Sequence, residues 1–80
     1  MRRLEMSDAF ALVLKRHRIR KRFSQELLAE KANLHPTYIG LLERRLRNPS
    51  INVAKALATG LGIPLAKLIT EAEMIQGKRK

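Results

Sequence analysis

Apolar residues recur at helical spacing along the whole chain, and no stretch alternates in the manner of a strand. Phe10, Val13, Leu14 and His17 fall on one face of a helix that Ser7-Asp8 can cap and that runs to about Arg20. Ser24 suits the N-cap of a second helix, which carries Leu27, Leu28 and Ala29 and lasts to about Ala32. Asn33 breaks it, because Asn tolerates the left-handed conformation that ends helices. His35 can cap a third helix with Pro36 at its first position, running to about Arg44 with Ile39 and Leu42 inward. After the polar stretch 45–49, Ser50 caps a fourth helix. Its Val53, Ala54, Leu57, Ala58 and Leu61 share a face, and Gly60 and Gly62 are expected to end it. Pro64 opens a fifth, from about Leu65 to Met74. The pattern predicts an all-α, compact five-helix bundle: one domain over 7–75, then a frayed basic tail at 76–80.

The stretch 25–44 is the most informative. Only Asn33-Leu34-His35 joins its two short helices, and so short a turn makes them cross steeply. Close crossing needs a small residue in the first helix, and Ala29 is there. It needs a residue tolerant of positive φ in the turn, and Asn33 is there. It needs apolar anchors beyond the turn, which Leu34, Ile39 and Leu42 supply. This is a helix-turn-helix pattern with each special position filled by a suitable residue type.

Charge gives that pattern a partner. The 80 residues hold 17 Lys+Arg against 7 Asp+Glu, a net charge of +10, which points to nucleic acid or an anionic membrane surface. The excess sits at Lys15–Arg22, at Arg44–Arg47 and in the tail. The longest apolar run, Ala9–Leu14, is six residues, against the roughly 20 that a bilayer span needs. No secretory signal pattern is present, so a soluble, cytoplasmic protein is expected. With no cysteine, a disulfide scaffold and a thiolate metal site are both excluded. His17 and His35 lie 18 residues apart on different helices and make no metal site; His17 reads as a structural, half-buried side chain. Only Phe10, Phe23 and Tyr38 are aromatic, too few for a platform that stacks single-stranded bases. No nucleophile–base pair and no glycine-rich phosphate loop occurs, so neither an enzyme nor a cofactor is expected.

The chain resembles the lambda-repressor-like (Cro/repressor, XRE-type) transcriptional regulators over about residues 7–70. The resemblance rests on Phe10, Leu14 and Arg18, on Phe23 to Ala32, on Leu34, Thr37-Tyr38-Ile39 and Leu42-Glu43-Arg44, and on Arg47-Asn48-Pro49-Ser50. Leu57-Ala58 and Leu61-Gly62-Ile63 complete it. The small controller proteins of restriction–modification systems are especially similar. The resemblance implies a homodimer on a pseudo-palindromic DNA operator, with the third helix in the major groove. It implies a phosphate contact from Gln25, base edges faced by Pro36, Thr37, Gly40 and Leu41, and a backbone contact from Arg44 and the loop after it. It also implies an Arg18–Glu43 salt bridge. Pro36, Gly40 and Leu41 are poor readers of bases, so direct readout is thin and DNA shape carries more of the choice. Arg22 and Arg45 stand where the family usually has Gly; a left-handed backbone there costs each about 1 kcal/mol.

The expected DNA-binding residues are therefore Ser24, Gln25, His35, Pro36, Thr37, Tyr38, Gly40, Leu41, Arg44, Arg45, Arg47 and Asn48. Free N–H groups at the start of the second helix would share the phosphate of Gln25. Leu65, Leu68, Ile69 and Met74 form a stripe expected to make a dimer seam. A second class, an antitoxin-like or other protein-interaction module on the same fold, is compatible with these residues. A membrane-active cationic helix is not, because Asn33, Pro36, Pro49 and Pro64 interrupt the chain.

Overall fold

The structure is a computed structural model that describes residues 4–78. Its helices are α1 (Met6–Arg20), α2 (Gln25–Ala32), α3 (Pro36–Glu43), α4 (Ile51–Leu61) and α5 (Leu65–Lys78), and the described residues contain no strand. Every helix contributes to one core. Phe10, Val13 and Leu14 of α1 meet Leu28 of α2, Ile39 and Leu42 of α3, Leu57 and Leu61 of α4, and Leu68 and Ala72 of α5. Small residues let the helices approach: Ala29 is buried in α2, and a Cβ placed on Gly60 of α4 would lie 3.1 Å from the Ala32 backbone nitrogen. No single described helix is long and apolar enough to cross a membrane, and α4 and α5 meet at a 106° break.

Side-chain caps start three of the helices. Ser24 Oγ accepts from the Leu27 N–H at 3.0 Å, His35 Nδ1 from the Thr37 N–H at 3.2 Å, and Ser50 Oγ from the Val53 N–H at 3.1 Å. Each satisfies a first-turn donor that has no partner inside its own helix.

Four helices end on one backbone motif. In α1 the Arg22 N–H donates to the Ile19 carbonyl and the Phe23 N–H to the Arg18 carbonyl, at 2.9 and 3.1 Å. The same pair of bonds recurs at Asn33/Leu34, Arg45/Leu46 and Gly62/Ile63. This is the Schellman closure, with a left-handed residue followed by an apolar one. The left-handed residues are Arg22, Asn33, Arg45 and Gly62, with φ of 60°, 59°, 64° and 72°.

Four expectations need correction. Ser7-Asp8 does not cap α1: the helix starts at Met6, and its N-cap, Glu5, makes no side-chain capping bond. Asp8 is placed instead in the first turn, where a carboxylate suits the helix dipole. Gly60 does not end α4; it lies inside the helix, where α2 leaves no room for a side chain. Arg44 falls just outside α3, as its C-cap. The fifth helix continues past Met74 through 76–78, because Ile75 packs against the core and Gln76 Nε2 donates to the Leu4 carbonyl at 2.9 Å. Those tertiary contacts outweigh the helix-weakening Gly77. Of the expected tail, Arg79 and Lys80 lie outside the described residues.

Candidate nucleic-acid interface

The C-terminal end of α1, the first residue of α2 and the last residue of α3 converge on one carboxylate. Glu43 accepts from Arg18 Nε at 2.6 Å, from a second Arg18 nitrogen at 3.0 Å, and from Gln25 Nε2 at 3.1 Å. The remaining terminal nitrogen of Arg18 donates to the Phe23 carbonyl at 2.8 Å, tying in the turn between α1 and α2. The side chains of Arg18 and Glu43 are only 12% and 3% exposed, so the pair is removed from water yet fully hydrogen-bonded.

This hub fixes Gln25 in one orientation. An ionised carboxylate only accepts, so the amide nitrogen of Gln25 must face Glu43. The amide oxygen then lies over α3, 3.4 Å from where a Cβ of Gly40 would stand. Gln25 is also the first residue of α2, where backbone N–H groups precede the helix's own hydrogen-bond ladder. Ser24 serves the helix as its cap. The start of α2 therefore presents open N–H donors and a fixed amide beside α3.

On α3, Thr37 is exposed while Pro36, Gly40 and Leu41 are half-buried. Tyr38 is half-buried and packs against the core, and His35 is spent on the cap. Arg44, Arg45, Arg47 and Asn48 are all exposed directly beyond the helix. Arg44 Nε donates to the Gly40 carbonyl at 3.3 Å, which holds its guanidinium along α3.

One residue of the expected dimer stripe is not on the surface. Leu68 is 0% exposed and belongs to the core, so it cannot touch a second chain. Leu65 and Ile69 are half-buried and Met74 is exposed. Ile69 instead lines an open apolar groove of about 280 Å³ with Met6, Phe10, Pro49, Ile51 and Ala54. Ile51, 74% exposed at the start of α4, is the most exposed large apolar side chain among the described residues.

Sequence reasoning missed the latch between α1 and α5. His17 is 5% exposed, and its Nε2 lies 2.8 Å from Oε1 of Glu71; Arg16 donates to the same oxygen at 3.2 Å. The hydrogen bond from His17 lowers the pKa of the Glu71 carboxyl most; burial opposes it, and Arg16 adds a smaller lowering. No helical periodicity connects residues 54 apart, so only the fold pairs them. A polar residue on the inner face of α1 was the available signal. Among the described residues no group of His, Asp and Glu has the makings of a metal site.

Comparison with known proteins places this architecture. A helix-turn-helix family model matches residues 14–68. The chain belongs to the XRE-type helix-turn-helix family. It is a DNA-binding regulator of that family and not an enzyme. The control protein C.SmaI of Serratia marcescens is 36% identical over 67 residues, covering 84% of this chain and 80% of the relative. The immunity repressor protein of Bacillus phage phi105 is 36% identical over 63 residues, 79% of this chain; the match spans only 44% of the repressor's length. Among solved structures, C.Esp1396I bound to a 19-base-pair DNA duplex superposes with a TM-score of 0.82 at 30% identity, covering 89% of this XRE-type chain and 95% of the other.

Proposed function

We propose that this protein is a homodimeric transcriptional regulator that binds a pseudo-palindromic operator in the cytoplasm, with α3 in the major groove. The observation that carries the reading is the convergence at Glu43. It sets the open N–H groups of α2, the Gln25 amide and the Arg44–Arg47 cluster around a recognition helix whose own exposed face is neutral. The similar controller protein solved on a DNA duplex supports it. Gln25 and the first-turn N–H groups of α2 bind one phosphate, with Ser24 shaping the approach. Arg44, Arg45, Arg47 and Asn48 meet the backbone beyond α3 and set affinity and register. Thr37 meets a base edge or a thymine methyl, with Pro36, Gly40 and Leu41 close against the groove floor and His35 and Tyr38 at its margin. In the dimer, two copies of α3 enter the groove about 34 Å apart, one helical turn along the duplex. The apolar groove around Ile51 and Ile69 is the seam.

Selection of bound duplexes from a random DNA pool tests the reading. Two-fold-related half-sites are expected, and failure to enrich any motif refutes sequence-specific binding. Thr37→Ala should change preference at one or two base pairs per half-site, whereas Arg44→Ala with Arg47→Ala should weaken all sequences alike.

A further inference from the structure

The four Schellman closures share one backbone geometry but not one kind of residue. Asn33 and Gly62 hold the left-handed position with side chains suited to it. Arg22 and Arg45 hold it with a long β-carbon-bearing side chain that has no local bond to offset the strain. Both are exposed, and among the described residues neither guanidinium has a hydrogen-bond or ion-pair partner. No hydrogen bond or ion pair among the described residues compensates for either residue.

Their placement is not random. Asn33 and Gly62 close the ends of α2 and α4, which meet where Gly60 lies against Ala32. Arg22 and Arg45 close the ends of α1 and α3, which meet at the Arg18–Glu43–Gln25 hub. Arg22 lies between Arg18 and Gln25, and Arg45 follows Glu43 by two residues. The ill-suited residues thus occupy the two closures beside the open N–H groups of α2, and the well-suited ones the two closures away from them.

We propose that Arg22 and Arg45 are a pair of phosphate-gripping residues, kept in strained helix closures because the DNA backbone lies against that end of the molecule. A guanidinium is always charged and offers a fork of donors that matches phosphate oxygens. This rests on the DNA-binding reading above and extends it to Arg22 and to the use of strain.

The test is a salt titration of binding to a mixed-sequence DNA duplex of about 30 base pairs, long enough for nonspecific contacts on either face. Arg22→Gly and Arg45→Gly should each reduce the steepness of log K against log salt by about 0.9 per bound chain, the value of one phosphate contact, and so by about twice that for a bound dimer. Each should also raise the melting temperature, since Gly relieves the left-handed strain. Arg22→Lys should retain the native slope. Two results overturn the inference: a native slope in the double Gly variant, or a fall in melting temperature in both single variants, which would mean that the arginines serve the helix ends instead. If the native protein itself shows no salt-dependent binding, the proposed function fails as well; native binding with an unchanged slope in the double variant removes the inference alone.

Discussion

At the residue scale the decisive side chain is Glu43. Its carboxylate takes three hydrogen bonds from two helices and is almost wholly buried. Glu43→Ala would leave the Arg18 guanidinium in a mostly buried site with only the Phe23 carbonyl as partner. Breaking one side of a buried pair costs about 3–5 kcal/mol. A domain of this length has roughly 4–12 kcal/mol in total, so the variant should sit close to unfolding. Replacing both partners, as Arg18→Met with Glu43→Leu, should recover most of that loss, because the desolvation of two charges is removed with their attraction. Urea midpoints of the single and double variants check this; equal losses would mean that the pair adds net stability of its own. The Arg18–Glu43 pairing was legible only as a family implication, since residues 25 apart share no helical face. The third partner, Gln25, was not legible at all, because its bond depends on how steeply α2 and α3 cross. The left-handed backbone at Arg22 and Arg45 was, like the Arg18–Glu43 pair, legible only from the family pattern: Arg carries no turn preference, so only its place in the motif marks the position.

At the scale of elements, the side-chain caps of α2, α3 and α4 were legible, whereas Ser7-Asp8 misplaced the start of α1. Ser24, His35 and Ser50 cap the helices they were expected to cap, because a short polar side chain before an apolar run has one use there. Gly62 ends α4 as expected, but Gly60 and Gly77 misled because a glycine signals conformational freedom without saying what needs it. Gly60 is needed for room against α2, and Gly77 is merely tolerated in a helix held by Ile75 and Gln76. The latch of Arg16 and His17 on Glu71 is likewise a property of α1 packed on α5. With its pKa lowered in the fold, Glu71 is ionised at neutral pH, so the His17 Nε2 that faces it carries the proton and donates. A carboxyl with a lowered pKa in the folded state adds stability above its unfolded pKa of about 4.3 and loses it as pH falls through the folded value. The native protein should therefore exceed Glu71→Gln in stability at neutral pH, and the difference should vanish in acid, where Glu71 is itself protonated. Denaturant midpoints of the two proteins across that range measure it. A difference that stays constant with pH would assign the latch to packing and not to charge.

At the scale of the whole molecule, a charge of +10 opposes self-association and favours a polyanion, so any dimer must be held by apolar contact and reinforced by shared DNA. The described surface offers such contact at the groove of Met6, Phe10, Pro49, Ile51, Ala54 and Ile69. Ile51 decides whether that groove is the seam. Its side chain is mostly in water, so Ile51→Asp removes little from the core of the monomer. It stands first in α4, where a carboxylate favours the helix dipole, and it lowers the net positive charge. Loss of dimer in this variant could then come neither from unfolding nor from a higher net charge, but from placing carboxylates in an apolar contact. Sedimentation at micromolar protein should give the mass of one chain with unchanged helical circular dichroism. Affinity for a duplex carrying two half-sites should fall towards that for one half-site, because the second binding event is no longer intramolecular. A variant that remains dimeric would move the seam to the exposed face of α5, and Met74→Asp would then separate the chains instead.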